Sequence, residues 1–581
     1  MASDWEHVLA IVYRFLQNLF RLITAPLWYL GHLSMRPRSR WVHVRLRSKL
    51  VEIEREVPFF TKWIPGLSLS RPTSIALLRE LVDFIEDDDR IEGVVFDIPP
   101  LQAGWATCHS LREILERLRE SDRKVVAYLS QGGGNRELYV ASAASKVLAS
   151  PVSQLSPLGL AASVTYFRGL LDKAGLEVEV RRRAEYKTAV EPMVREEMSE
   201  AQREQTEALL GTVDGALRAA LLERSGEAGV EALYERALFN ASDAVEHGLI
   251  DAVCYEDELP TWLGEDRKTV PVVRAPRYFA WRSQRLFRRV LPERYVAVVP
   301  VHGSISGGSS GSRGGMKFAS TVATLRAARR NPMVAGVVLH VNSPGGSALA
   351  SDLIHREVER LKELKPVVAC FGDVAASGGY YVAACADAVV AQPLTITGSI
   401  GVVSARLVTE PVMNRFGVNV STVCLAPHAD LMQRPGKLTE GEDAILDREI
   451  EAFYRAFVGV VARGRGREVD EIEPLARGRV WSGVDAHERG LVDTLGGLDE
   501  AVRQVKERLD GKMGKGKRDA LRPKLMKSLR LELPPAEPRR VGEEAAAALL
   551  SELHPSAGEL LRLTRGGERV LAYAMGLPKI D

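Results

Sequence analysis

The chain repeats itself, and this repeat constrains its fold more than any other feature of the sequence. Residues 91–98 match residues 334–341 at an offset of 243 positions. Further matches at an offset of 242 join three pairs of segments: 125–127 with 367–369, 139–141 with 381–383, and 147–151 with 389–393. Matches in the same order, with a single one-residue step in the offset, indicate a duplicated domain.

Each copy alternates apolar runs with helical patterns. In copy one the apolar runs are residues 93–98 and 125–129, and in copy two they are 336–341 and 366–371, on either side of a helical pattern over 348–364. Alternation of this kind predicts parallel strands joined by crossover helices. We therefore predict an α/β fold made of two tandem domains, with ligands bound beyond the carboxyl ends of the strands.

The two copies differ where their strands end. Copy two contains Ser377 within the small-residue stretch AASGG, and copy one has Asn135 at the matching position. Copy two also has paired glycines, Gly345 and Gly346, that copy one lacks. A serine exposed at a strand–turn–helix junction is a candidate nucleophile, and the N–H groups of paired glycines can face a substrate carbonyl. The candidate active site is therefore in copy two.

A serine hydroxyl needs a base to act as a nucleophile at neutral pH. No histidine is obviously placed for this role, but a lysine kept neutral by burial can replace one. Two lysines are candidates by context, Lys187 in the stretch EYKTAVEP of copy one and Lys437 in the stretch RPGK of copy two. The residues alone leave this choice open.

Three motifs resemble those of signal peptide peptidase A (protease IV), a family of Ser–Lys peptidases. They lie at residues 375–381, 397–401 and 186–192, and the resemblance extends over about residues 70–505, with both copies in order. It implies a fold of the Clp-protease/crotonase type in which copy one donates the base and copy two the nucleophile. It therefore favours Lys187 over Lys437.

The same resemblance implies a role for each residue that matches a motif. Ser377 would be the nucleophile, Lys187 the general base, and Ser399 the residue that orients the lysine. The oxyanion hole would consist of three backbone N–H groups, those of Gly378, Gly345 and Gly346.

Composition argues against other function classes. The net charge is only +2, so nothing global indicates a nucleic-acid partner. The five cysteines form no CxxC pair, and the eleven histidines form no HExxH motif. We therefore predict free thiols, no metal and no other cofactor.

The N-terminal segment, residues 1–35, is predicted to associate with a membrane. Residues 8–33 are strongly apolar, but polar residues recur along one face of the predicted helix: Arg14, Gln17, Asn18 and Arg21. This pattern favours an amphipathic helix in the membrane interface, ending at Pro26, over an uninterrupted span. A soluble helix packed on the body is the alternative. No cleavable signal peptide is predicted.

These features divide the chain into four predicted segments: the N-terminal segment 1–35, the base-donating copy 36–290, the serine-donating copy 291–510, and a basic linker with a helical tail at 511–581. Within the tail, helices are predicted at 543–553 and 557–563. The tail would either dock on the body or occupy a substrate groove, and docking is the favoured expectation.

The leading functional hypothesis is a membrane-associated serine endopeptidase. It would cleave hydrophobic peptides, such as signal peptides or membrane-protein segments, through an acyl-enzyme. The resemblance also implies a homo-oligomer at a membrane of the bacterial inner-membrane type, on a side that the sequence leaves open. The alternatives are a crotonase-like acyl-CoA lyase or isomerase, which does not need Ser377, and a non-catalytic membrane scaffold.

Overall fold

The structure, a computed structural model, describes residues 2–53, 72–264, 268–284, 286–287, 293–307, 316–526, 571–573 and 579–580. The tail helices predicted at 543–553 and 557–563 lie outside these residues. The chain forms two compact units. Unit 1 comprises Met1–Gly159 and Val213–Glu293, and unit 2 comprises Leu160–Thr212 and Arg294–Asp581.

The first part of the chain contains the following elements: α1 (Ala2–Met35), β1 (Trp41–Arg45), β2 (Leu50–Val51), β3 (Thr73–Ser74), α2 (Ile75–Glu86), β4 (Gly93–Asp97), α3 (Trp105–Glu120), β5 (Lys124–Leu129), β6 (Gly133–Gly134), α4 (Asn135–Ala141), β7 (Lys146–Ala149) and β8 (Gln154–Ser156). The next part contains β9 (Ala162–Ser163), α5 (Arg168–Ala174), β10 (Glu177–Arg182), a 3₁₀ turn (Thr188–Val190), α6 (Glu191–Val194), α7 (Glu200–Arg236), β11 (Phe239–Asn240), α8 (Ala241–Glu246), β12 (Ala252–Val253), α9 (Leu259–Trp262), β13 (Val272–Arg274) and α10 (Ala275–Arg282).

The second half begins with β14 (Tyr295–His302), β15 (Ile305–Ser306), β16 (Met316–Lys317), α11 (Phe318–Arg330), β17 (Val334–Ser343), β18 (Gly345–Ser347), α12 (Ala348–Lys362), β19 (Val367–Ala376), α13 (Gly378–Ala383), β20 (Ala388–Ala391), β21 (Ile396–Gly398) and β22 (Val403–Val408). It continues with α14 (Glu410–Arg415), α15 (Glu440–Arg465), α16 (Val469–Ile472), β23 (Val480–Ser482), α17 (Gly483–Glu488), β24 (Thr494–Leu495), α18 (Leu498–Glu507), α19 (Lys515–Asp519), β25 (Pro523–Leu525), β26 (Leu571–Tyr573) and β27 (Lys579–Ile580).

Both units contain a parallel sheet with the same strand order. In unit 1 the order is β12-β7-β5-β4-β1-β13, and every neighbouring pair is parallel. In unit 2 the corresponding order is β24-β20-β19-β17-β14-β25, again with parallel pairs throughout. Parallel strands covered by helices bury both faces, which is why their sequences are continuous apolar runs. The predicted duplicated α/β fold is confirmed.

One strand is longer than the sequence pattern predicts. The apolar run before Ser377 predicts a strand that ends at residue 371 and is followed by a turn, but β19 continues to Ala376. Its first half pairs with β20, and from Val374 to Ala376 it pairs with β21 instead. Because β21 provides new backbone partners, the small-residue stretch extends the strand. Ser377 therefore follows the strand end directly.

The prediction that the first helix ends at Pro26 is wrong, because α1 continues from Ala2 to Met35. A proline inside a helix removes one backbone hydrogen bond and clashes with the preceding turn at a cost of about 3 kcal/mol, which other contacts can offset. After the proline, the His32 ring stacks between Trp28 and Trp281 at centroid distances of 4.7 and 5.3 Å. These contacts within unit 1 hold the last turns of the helix. Among the described helices, none is both long and apolar enough to cross a membrane.

Candidate active site

Ser377 occupies the junction between β19 and α13. Its backbone has φ +56° and ψ −120°, a conformation that costs energy in a residue other than glycine. Two hydrogen bonds hold it there: Ser377 N donates to Gly398 O at 2.8 Å, and Tyr381 N donates to Ser377 O at 2.9 Å. A strained serine at a strand-to-helix turn is the backbone arrangement of a nucleophile elbow.

Close packing fixes the helix that follows Ser377. A Cβ atom at Gly379 would lie 2.6 Å from Ser343 O of β17, so a larger residue would push α13 away from the sheet. The Tyr380 hydroxyl is buried and donates to Leu491 O at 2.7 Å. The position of Ser377 is therefore set from both the strand and the helix side.

Lys187 reaches the same unit from a distant part of the sequence. It lies between β10 and the 3₁₀ turn, in the segment that joins unit 2 although it precedes the second half of the chain. β10 pairs antiparallel with all six residues of β22, which anchors this segment. Lys187 and Ser377 are therefore side chains of one compact unit.

Three short contacts surround the lysine amine. Lys187 Nζ lies 2.7 Å from Ser377 Oγ and 2.9 Å from both Oγ and the carbonyl oxygen of Ser399. The three side chains are buried, with exposed fractions of 1% for Lys187, 0% for Ser377 and 2% for Ser399. Burial disfavours the charged ammonium and holds the pKa of Lys187 well below its ordinary value.

This geometry suits proton transfer from the serine to the lysine. The Ser399 carbonyl oxygen can only accept a hydrogen bond, so one N–H of the amine points to it. A neutral amine that donates its second N–H to Ser399 Oγ has its lone pair left for the Ser377 hydroxyl. The cluster can thus remove the hydroxyl proton without a histidine.

Ser399 is itself held in an unusual conformation. Its φ is +50°, and it follows Gly398 at φ +78°. Its backbone N–H donates to Arg479 O at 2.6 Å, while the preceding Thr397 hydroxyl donates to Ala375 O at 2.7 Å. Both serines that contact Lys187 thus have strained backbones, and strained residues of this kind cluster at functional sites.

The backbone conformation at positions 345 and 346 requires glycine. Gly345 and Gly346 have φ of +103° and +150°, and a Cβ at Gly346 would lie 2.0 Å from Ile305 O. The N–H of Gly345 donates to Ser343 Oγ at 3.2 Å. Gly378, the remaining predicted oxyanion residue, begins α13 directly after Ser377.

A strand lies between β18 and β22 in the second sheet of unit 2. The order is β10-β22-β26-β18-β15-β16, and β26 runs antiparallel to both neighbours. Gly345 pairs with Tyr573 and Gly346 with Ala572. A segment of the chain's own tail, Leu571–Tyr573, therefore lies beside the paired glycines.

Other residues considered in the sequence lie elsewhere. Lys437 is exposed, and its Nζ pairs with Glu177 Oε1 at 2.7 Å. Asn135 lies in unit 1 and donates from Nδ2 to Gly159 O at 2.7 Å. The five cysteines form no disulfide with one another; four of them are buried and Cys424 is exposed.

Sequence reasoning missed a group of residues that contact the lysine segment. They are Gln205 on α7 and the loop of residues 476–480. Gln205 and Val480 hydrogen-bond across 275 sequence positions. No local pattern marks these residues, since only the tertiary fold brings them to Lys187.

Comparisons with known proteins show the family to which the chain belongs. The sequence matches the model of peptidase family S49 twice, at residues 117–270 and 359–512. It is 33% identical over 437 residues to the chloroplastic serine protease SPPA of Arabidopsis thaliana. The matched region covers 72% of this chain and 64% of that protein.

Two bacterial proteins named protease 4 are similar to the chain in sequence to about the same degree. The protein from Salmonella typhi is 32% identical over 73% of this chain and 70% of its own length. The protein from Haemophilus influenzae is 31% identical over 73% of this chain and 71% of its own length. The chain therefore belongs to peptidase family S49, a family of serine peptidases whose domain it contains twice.

Proposed function

We propose that this protein is a serine endopeptidase that cleaves peptide bonds with a catalytic dyad of Ser377 and Lys187. The observation that carries the proposal is the 2.7 Å contact between Lys187 Nζ and Ser377 Oγ in a buried environment. Burial supplies what a lysine needs to act as a base at neutral pH, because it favours the uncharged amine.

In the first half of the reaction Lys187 accepts the Ser377 proton while Oγ attacks the scissile carbonyl carbon. The C–N bond then breaks, and the lysine ammonium returns the proton to the leaving amine, so that an acyl-enzyme remains. In the second half a water molecule loses its proton to Lys187 and attacks the ester. The bond between the acyl carbon and Ser377 Oγ then breaks, Lys187 returns the proton to Oγ, and the carboxylic acid product leaves.

The negative charge that develops on the carbonyl oxygen must be stabilised by hydrogen-bond donors during both attacks. We assign this role to the Gly378 N–H and the paired glycines. Of the pair, Gly346 is the stronger candidate, because the Gly345 N–H already donates to Ser343 Oγ. Ser399 would orient the amine through its two contacts with Lys187 Nζ.

The substrate is proposed to bind as an extended strand between β18 and β22. The position of β26 supports this, since a peptide segment there pairs with both neighbouring strands through its backbone. Backbone pairing of this kind binds many sequences and leaves specificity to side-chain pockets. The resemblance to signal peptide peptidase A favours hydrophobic peptides such as signal peptides. Self-association stays a prediction.

The pH dependence of kcat/KM tests the dyad. The neutral amine is the active form, so kcat/KM should rise with pH through the lowered pKa of Lys187 and then level off. The measurement is the rate of cleavage of a fluorogenic peptide across a pH series at constant ionic strength. A profile whose acid limb lies at the ordinary lysine pKa would contradict activation by burial.

We also propose that α1 attaches the protein to a membrane surface. Two of its polar side chains contact another segment of unit 1: Arg21 Nη1 donates to Leu286 O at 3.1 Å, and His32 Nδ1 lies 3.4 Å from Gln284 Oε1. Its apolar face is exposed, as the exposed fractions of Phe20 (67%), Ile23 (76%) and Leu27 (74%) demonstrate. An exposed apolar face on a long helix fits the interface of a bilayer.

Placing charge on this face should release the protein from membranes. We expect the double variant Phe20→Glu/Ile23→Glu to lose most of its binding to phosphatidylcholine–phosphatidylglycerol vesicles in a flotation assay, because each glutamate must be desolvated to enter the interface. The control is Leu349→Glu, which changes a leucine of similar exposure on α12. Equal flotation of the double variant and the wild type would refute the proposed attachment.

A further inference from the structure

A loop from the second half of the chain encloses the lysine segment. This loop, residues 476–480, is called the clamp loop below. Tyr186 N donates to Arg477 O at 3.1 Å, and Ser399 N donates to Arg479 O at 2.6 Å. The clamp loop thus bonds to the residue before Lys187 and to the residue that contacts its amine. A third bond, from Gly478 N to Ile400 O at 2.9 Å, ties the loop to the Ser399 turn.

Gly478 allows the loop to approach the lysine closely. A Cβ at this position would lie 2.7 Å from both the backbone N and the Cβ of Lys187. A Cβ at Gly401 would likewise lie 2.8 Å from Gly478 Cα and 3.3 Å from Lys187 Cδ. The two glycines therefore pack against the backbone and the aliphatic stem of the lysine, and larger residues would displace it.

Gln205 connects the clamp loop to both neighbours of Lys187. Its Nε2 donates to Thr188 Oγ1 at 2.7 Å and to Tyr186 O at 3.5 Å, while its Oε1 accepts from Val480 N at 3.3 Å. The side chain is buried. A buried amide that uses both ends in this way fixes the distance between the segments it joins.

The charged groups around the lysine segment pair with one another. They are Arg477 with Glu185, Arg479 with Glu204, and Arg182 with Glu191. The Arg479 guanidinium also lies 4.8 Å from the centre of the Tyr186 ring. These arginines and carboxylates thus bond to one another, while the Lys187 amine contacts Ser377 and Ser399.

We propose that the clamp loop and Gln205 are positioning elements that hold Lys187 in its buried place against Ser377 and Ser399. The consequence for catalysis rests on the proposed function, but the effect on the lysine does not. Two measurements therefore test the proposal. The first is the pKa of Lys187, followed by NMR of protein labelled with ¹³C at lysine Cε, and the second is kcat/KM for a peptide. The Lys187 signal is assigned from its absence in Lys187→Met.

The first test is Gly478→Ala, with Gly466→Ala as its control. Both glycines have left-handed backbones, with φ of +75° and +62°, so both variants carry the same kind of backbone strain. A Cβ at Gly466 meets no atom within 4 Å, whereas one at Gly478 meets Lys187. We expect Gly478→Ala to lose about 10²-fold in kcat/KM, as a displacement of about 1 Å does at an active site. The Lys187 pKa should move toward its ordinary value, because a displaced amine is less completely buried. The control should do neither.

The second test does not depend on backbone strain. Gln205→Met removes the connecting hydrogen bonds, and Gln202→Met makes the same change at another buried glutamine of α7, whose Oε1 accepts from the Tyr166 hydroxyl at 2.6 Å. We expect Gln205→Met alone to lower kcat by about tenfold, with a smaller change in KM, and to shift the acid limb of the pH profile upward.

The outcomes separate the two proposals. Equal losses in Gly478→Ala and Gly466→Ala, together with an unchanged Lys187 pKa in Gln205→Met, would overturn the positioning role. A Lys187 pKa that moves in Gly478→Ala and Gln205→Met but not in the controls supports the positioning role. If the Lys187 pKa moves in those two variants but kcat/KM stays unchanged, the positioning role stands and the proposed catalytic dyad fails.

Discussion

Replacing Lys187 by methionine is expected to lower kcat/KM for peptide cleavage by about 10³- to 10⁴-fold. Methionine fills much of the same buried volume but has no amine to accept the Ser377 proton. The measurement is steady-state cleavage of a fluorogenic peptide, with far-UV circular dichroism to establish that the variant is folded.

Lys437→Met is the matched control, because it makes the same change at the exposed lysine that the sequence also offered as a base. It should retain wild-type turnover. Wild-type turnover by pure, folded Lys187→Met would show that another group is the base.

Stability provides an independent check on the same variant. The folded pKa of Lys187 is lowered, so the unfolded chain binds more protons at pH values between the folded and unfolded pKa values. The free energy of unfolding therefore rises with pH across that window and falls as the pH decreases through it. Lys187→Met should remove this dependence and resist urea better than the wild type at neutral pH.

Replacing Ser377 by alanine is expected to lower kcat by more than about 10⁴-fold, because no acyl-enzyme can form without Oγ. Alanine accepts the same strained backbone as serine, so the fold should persist. The same variant should fail to react with a fluorophosphonate probe, and mass spectrometry of labelled wild-type protein should locate the adduct on Ser377.

Ser351→Ala is the control for this substitution. Ser351 is a buried serine of α12 whose hydroxyl donates to Ser347 O at 2.8 Å, and its removal should leave labelling intact. The experiment also separates the peptidase from the crotonase-like alternative, which does not need Ser377. Wild-type protein that fails to react with the fluorophosphonate probe would favour that alternative.

Much of the fold follows from local patterns in the sequence. Apolar runs at matching offsets predict the same strands in both copies, and two sheets with one strand order confirm that duplication. The difference between Ser377 and Asn135 is equally visible without a structure. Two local predictions are wrong: the helix continues past Pro26, and β19 extends to Ala376. In both cases contacts from distant residues outweigh the local preference.

The choice between Lys187 and Lys437 illustrates where sequence reasoning stops. Context leaves both open, and a motif resemblance favours Lys187, but neither reveals that one lysine is 1% exposed and the other is at the surface. The clamp loop and Gln205 carry no recognisable motif at all. Their relation to Lys187 depends on approach distances between segments that are far apart in the chain.

Apolar periodicity is a local property, so the duplicated α/β architecture, the serine-bearing copy and the apolar N-terminal helix can be inferred from residue order alone. The basicity of Lys187 is different, because the pKa of an amine depends on how much water the surrounding atoms exclude. Those atoms come from β10, the Ser399 turn and the clamp loop, which meet only in the folded unit. Folding therefore decides whether this lysine is an ordinary surface charge or a buried amine beside Ser377.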